Sequence, residues 1–152
     1  MTLTVVADGA APPSPVPGPA SGPADDLGRA RAAVAYAEQL AGAADRFLAG
    51  HAAALRVAAL VLSARMHPVR ARRPRSAWQA VAEVAPELAE WAWFFAATEG
   101  KRDAVRAGAV AVVSAREADD LVRDTARFLA LVEGGLRRSA ARSDPPGTGG
   151  HR

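Results

Sequence analysis

A chain of 152 residues has room for one domain, and about 110 residues remain for it once its terminal segments are set aside. Roughly a quarter of the residues are Ala, a strong helix former with little area to bury, so closely spaced helices are expected, with the larger side chains carrying most of the burial energy. The net charge of +3 is too small to imply nucleic-acid binding by itself, and the lack of cysteine excludes disulfides, a thiol nucleophile and Cys-based zinc sites.

Residues 1–23 read as a disordered leader rich in Pro, Ala and Gly, with Pro at a density that favours polyproline II over any core. Met1 to Val6 has no basic n-region, and Asp8 and the prolines cut short any apolar h-region, so a cytoplasmic protein is expected. Residues 24–138 carry the folded part. Its first helix runs from about Ala24 to Ala41, opened by Asp25 and Asp26, with Leu27, Val34, Ala37 and Ala41 as the apolar stripe and Gly42 as its end.

The second helix, about Ala44 to Met66, is apolar on most sides and is predicted to be the central helix. Leu48, Ala52, Leu55, Ala59 and Leu62 form its expected core seam, and Phe47, His51, Ala54, Ala58 and Val61 a neighbouring ridge. Its longest apolar stretch, Ala52 to Ala64, is interrupted by Arg56 and too short to span a bilayer, so no membrane partner is expected.

A basic connector with two prolines follows and carries Arg70, Arg72, Arg73 and Arg75. Ser76 then caps a short helix with Trp78, Val81 and Ala85, and Pro86 suits the first turn of the next piece. That piece, Glu87 to Thr98, is rich in aromatics and should end at Gly100, with one or two further turns over Lys101 to Ala107 and a loop at Val110 to Val113. Ser114 and Glu117 form a capping box at the head of the last helix, whose buried face carries Ala118, Leu121, Thr125, Phe128, Val132 and Leu136. Residues 139–152 read as a disordered tail. The fold class is all-α, an antiparallel up-and-down bundle of four to five helices.

Three constellations bear on function. Arg46 and His51 stand five positions apart, a spacing at which some nucleases position and protonate phosphate and ribose oxygens; a core or boundary histidine beside an apolar ridge is the reading preferred. The connector arginines Arg70, Arg72, Arg73 and Arg75 form a cluster suited to RNA, a nucleotide phosphate or an acidic protein face, or a loop that keeps the bundle solvated. Within the aromatic helix, Leu88, Trp91 and Phe95 share a face. Trp93 and Phe94 point aside, so Trp91, Trp93 and Phe94 are assigned either to the core or to a homodimer interface. Glu117, Asp119, Asp120 and Asp124 alternate with Arg as a salt-laced face; no metal site and no cofactor is expected.

The segments RFLAGHAAALRVAALVLSAR, RPRSAW, APELAEWAWFFA and SAREADDLVRDTARFLALVE, in this order from Leu27 to Glu133, resemble an actinobacterial branch of the HEPN (higher eukaryote and prokaryote nucleotide-binding) superfamily. The resemblance implies an up-and-down bundle, often dimeric, in nucleic-acid-related or toxin–antitoxin settings. Its catalytic members carry Arg-x4-6-His near the last helix, commonly with a polar residue after the Arg, and cut RNA without metal. This chain departs from them: no His follows Arg116 within the last helix, and Arg46–His51 lies in the first half with Phe47 after the Arg. The expectation is a non-catalytic binding module that engages RNA, a nucleotide or a protein partner, with a metal-independent ribonuclease using Arg46 and His51 as the alternative.

Overall fold

A computed structural model describes residues 22–66 and 76–144. They form five α-helices: α1 (Pro23–Gln39), α2 (Ala43–Arg65), α3 (Ala77–Val84), α4 (Ala89–Arg106) and α5 (Ala115–Ser143). Single 3₁₀ turns at Pro86–Leu88 and Val110–Val112 join α3 to α4 and α4 to α5, and no strand occurs among the described residues. The all-helical bundle expected from the periodicity is the observed fold. Residues 1–21 of the leader expected over 1–23, and the last eight residues of the expected tail (145–152), lie outside the described residues, while Pro23 already belongs to α1. Helix α5 runs to Ser143, past the boundary expected at 138, although its final turns are exposed. Ala and Arg are good helix formers there, and propensity extends a helix already nucleated by packing.

Helix α2 packs against α1, α3, α4 and α5, while α1 also meets α5 and α3 meets α4. By length and composition α2 is apolar enough to cross a membrane; here its apolar surface is covered from several directions by the other helices.

The face of α2 that turns inward differs from the expected one. Phe47, His51, Ala54, Ala58 and Val61 are buried together with Gly50, Ala53, Val57 and Leu60, whereas Ala52 and Ala59 are exposed and Leu48, Leu55 and Leu62 only partly covered. Small side chains let the helix axes approach, so the Gly/Ala/Val surface sits at the crossings and the leucines cover the edges. Gly50 marks a close approach of α2 to α5: a Cβ there would lie 3.0 Å from Val122 Cγ2. Beside it, Thr125 Oγ1 donates to the Leu121 carbonyl at 2.9 Å and stands 3.3 Å from the Gly50 carbonyl.

The termini follow local chemistry. Ser114 Oγ accepts from Glu117 N at 3.1 Å while Glu117 Oε2 accepts from Ser114 N at 2.8 Å, the expected capping box. Ser76 Oγ likewise accepts from Gln79 N and caps α3. Gly100, expected to end the aromatic helix, lies inside α4. The helix stops at Gly108, with φ of 102°, where Gly108 N donates to Val105 O and Ala109 N to Ala104 O. That paired pattern needs a left-handed residue just past the cap, and Gly adopts it without steric cost.

The core is centred on a ring cluster. Phe95 is stacked on Trp78 with centroids 4.9 Å apart, tilted against Phe128 at 5.3 Å, stacked on Trp91 at 6.2 Å and edge-on to Phe94 at 5.1 Å. Trp91, one of the three residues expected at a dimer interface, is therefore turned into this cluster, where it also stacks on Phe128 at 5.6 Å. Trp93 is 66% exposed and Phe94 40%.

Candidate functional site

Arg46 and His51 have different partners. The Arg46 guanidinium donates to the Leu40 carbonyl at 3.1 Å, the Ala41 carbonyl at 2.7 Å and the Ala115 carbonyl at 3.4 Å, and pairs with Asp119 at 2.7 Å. It thereby satisfies carbonyls left open after α1 and ties the α1–α2 turn to the start of α5. Replacing Arg46 by Ala leaves those carbonyls unpaired and is expected to cost about 2 kcal/mol in a urea melt, with Lys restoring only part of the loss because it lacks the planar fork.

His51 is fully buried on α2, edge-on to Trp78 at 6.2 Å, and neither ring nitrogen makes a hydrogen bond. Burial is the main cause that pushes its pKa down to about 4; the Arg102 and Arg106 charges push the same way, and the Phe95 carbonyl and Asp103 oppose them. At neutral pH the ring is uncharged. Trp78 is buried as well, so its ring belongs to the core and is not free to stack on a base.

The four connector arginines, Arg70, Arg72, Arg73 and Arg75, lie outside the described residues. A basic site that the sequence did not disclose is assembled elsewhere. Tyr36 of α1, Ala52 and Leu55 of α2, and Arg102 and Arg106 of α4 border a cleft of about 540 Å³, within the range of ordinary ligand pockets, with the fully buried His51 beneath its floor. Its floor continues between α1 and α2 into a second hollow that shares Tyr36, Ala49 and Ala52, and then into a third that shares Arg29 and Arg56.

The result is one groove with a smooth alanine floor. Tyr36, 61% exposed, stands in its middle and four guanidiniums flank it. Arg29 pairs with Asp26 at 2.8 Å and Arg102 with Asp103 at 3.1 Å, while Arg56 and Arg106 have no ion pair among the described residues. Asp45 and Asp26 are the acidic residues on the groove's rim. Such a surface offers donors for phosphate oxygens and an aromatic face for a base. The sequence signal was faint: Arg102 and Arg106 are four apart and share a face of α4, but nothing near them in the chain marks the Tyr36 and Arg56 that they meet.

The carboxylates of α5 all have cationic partners: Asp119 with Arg46, Asp120 with Arg123, Asp124 with Arg127 at 3.4 Å, and Glu117 with Lys101. The Lys101 ammonium, followed by the Ser114 amide, holds the Glu117 carboxyl down to about 2. No group of three or more His, Cys, Asp or Glu placed to hold a metal ion occurs among the described residues.

No curated protein and no solved structure matches the chain. Residues 37–133, from the last turn of α1 through most of α5, match the family described as SAV_6107-like HEPN. The match covers well over half of the chain, including both α2 with its buried His51 and the capped α5, and the protein belongs to the SAV_6107-like HEPN family.

Proposed function

We propose that this protein is a non-catalytic HEPN domain that binds single-stranded RNA along the α1–α2 groove. The observation that carries the reading is the exposed Tyr36 ring flanked by Arg29, Arg56, Arg102 and Arg106 on one continuous groove. Stacking on an aromatic side chain is sequence-tolerant, and guanidiniums spaced along a groove follow a phosphodiester backbone. The non-catalytic half of the proposal is supported by Arg46 and His51. A general acid or base needs a pKa near the working pH and access to the proton it moves. His51 is enclosed, with a pKa near 4, and Arg46 is engaged by carbonyls and Asp119.

The test is titration of a labelled RNA of about ten nucleotides at two salt concentrations, followed by gel analysis of the RNA. With three to four phosphate contacts, log K should fall against log salt with a slope of about −2 to −3. Tyr36→Ala and Arg56→Glu/Arg106→Glu should each weaken binding at least about tenfold, His51→Phe should leave it unchanged, and the RNA should stay intact. Salt-insensitive or absent binding sinks the proposal, and so does cleavage that disappears in His51→Phe. If Arg72→Glu/Arg73→Glu abolishes binding while the groove variants do not, the connector and not the groove is the site.

A further inference from the structure

A separate cavity of about 300 Å³ lies where the last turns of α2 and the C-terminal half of α5 meet the 3₁₀ turn that leads into α4. It shares no residue with the α1–α2 groove. Val61 of α2, Leu88 of the turn, and Leu131, Val132 and Leu136 of α5 form its apolar wall. Leu131 is 45% exposed, a large apolar side chain left facing water at the cavity's mouth.

The cavity is open because a side chain is missing from α5. Leu131, Gly135 and Arg138 follow one another at spacings of four and three, one stripe of the helix, and all three line the cavity. Glycine is among the least favourable residues inside a helix, and Gly135 stands beside Gly134 within a helix of 29 residues. Packing requires neither of them. Among the described residues, a Cβ at Gly134 would meet only the Arg138 guanidinium, 3.3 Å away at Nη1, and one at Gly135 only Nη2, at 3.9 Å. No neighbouring helix presses on them as Val122 presses on Gly50. The two glycines instead let the Arg138 side chain lie along α5 and leave the space beside it empty.

The charges indicate what fits there. Arg65, Glu87 and Arg138 line the cavity; Arg65 pairs with Glu87, whereas Arg138 makes no ion pair or hydrogen bond among the described residues. One guanidinium is therefore left for an anion, and its planar fork matches a carboxylate. The α2 and α5 walls are helix faces whose backbone groups are bonded within their own turns, so a peptide would bury its amides there without partners. An alkyl chain has no such groups to satisfy.

We propose that this cavity binds a free carboxylic acid with a medium-length alkyl chain, its carboxylate on Arg138 and its chain in the gap that Gly135 leaves between α2 and α5. Burial of the chain supplies the affinity, and the single guanidinium fixes its direction.

Calorimetric titration of the full chain with octanoate at neutral pH should give a Kd below about 1 mM. Hexanoate, two methylenes shorter, should bind about fifteenfold more weakly. Octanol, with the same chain and no charge, should bind at least about tenfold more weakly than octanoate. Gly135→Leu carries a side chain into the open space and should abolish binding, with a thermal melt no lower than the wild type because Leu is the better helix former. Arg138→Gln, at an exposed position, should weaken octanoate at least about tenfold and leave octanol unchanged; it decides alone if Gly135→Leu melts lower. Absence of octanoate binding at millimolar concentration, octanol binding as tightly as octanoate, or wild-type affinity in Arg138→Gln or in a folded Gly135→Leu overturns the proposal.

Discussion

Replacing Phe95 by Ala is expected to cost about 4 kcal/mol, read as a fall in the urea midpoint without a change in slope. Phe95 is fully buried and touches four other rings: Trp78, Trp91, Phe94 and Phe128. Deleting it removes the transfer energy of a whole ring and leaves a hole that neighbouring rings on three different helices cannot close together. Against a total stability that for domains of this size is about 5–15 kcal/mol, one substitution takes away a large share. Phe94→Ala is the comparison, because its ring is partly in solvent; it should cost well under half as much. Equal losses at the two positions would mean that the cluster is not the centre of the core.

Stability should also fall as the pH drops from about 6.5 towards about 4, and His51 is the group responsible. In the unfolded chain a histidine takes up its proton near 6.5, whereas in the fold burial holds His51 neutral down to about 4. Between these values the unfolded chain binds the extra proton, so unfolding is favoured progressively as the pH falls; above 6.5 the stability is fully present, and below 4 the loss is complete. The gap corresponds to about 3 kcal/mol. Glu117 and Glu87 act in the same sense but at lower pH: their lowered pKa values add stability above the ordinary carboxylate range that is lost only as the pH falls below about 4.5. The window from 6.5 to 5 therefore isolates His51.

Urea melts across that window should show the slope in the wild type and lose most of it in His51→Phe. At pH 7 the Phe variant should be as stable as the wild type or more so. The ring nitrogens it removes make no hydrogen bond of full geometry, and an unsatisfied buried polar atom costs about 1–3 kcal/mol. A wild type whose stability is flat from pH 6.5 to 5, or a Phe variant with the same slope, would contradict a buried neutral His51.

Parts of this architecture were readable from short stretches of chain. The start of α5 was evident from Ser114 and Glu117 alone, because a capping box is a contact among four consecutive residues. The inward face of α5 was evident too, since Leu121, Thr125, Phe128 and Val132 repeat on one stripe flanked by charge. Helix α2 had few polar residues with which to meet water, and its central place followed. Its orientation did not follow: leucines mark one stripe and alanines another, and hydrophobicity favours the first. The buried face, with Gly50 against Val122, is decided by how closely a neighbour can approach.

The candidate site was less legible. In the sequence Arg46 stands out for its spacing to His51, yet its chemistry comes from carbonyls at Leu40 and Ala41 and from Ala115 and Asp119, which are distant in the chain. Tyr36, Arg56 and Arg106 carry no local sign of a shared site, because nothing within a few positions of each points to the other two. They become a groove only when α1, α2 and α4 converge.

Periodicity, caps and composition determined by themselves that this chain is a helical bundle, where most of its helices begin and which helix is central. Those properties rest on contacts within one or two helical turns. Which face of α2 is buried, that Arg46 is a clamp, and that four guanidiniums gather around Tyr36 were decided only by the tertiary structure. Each depends on the simultaneous fit of three or more helices, a sum over partners that are distant in the chain and that no single segment specifies.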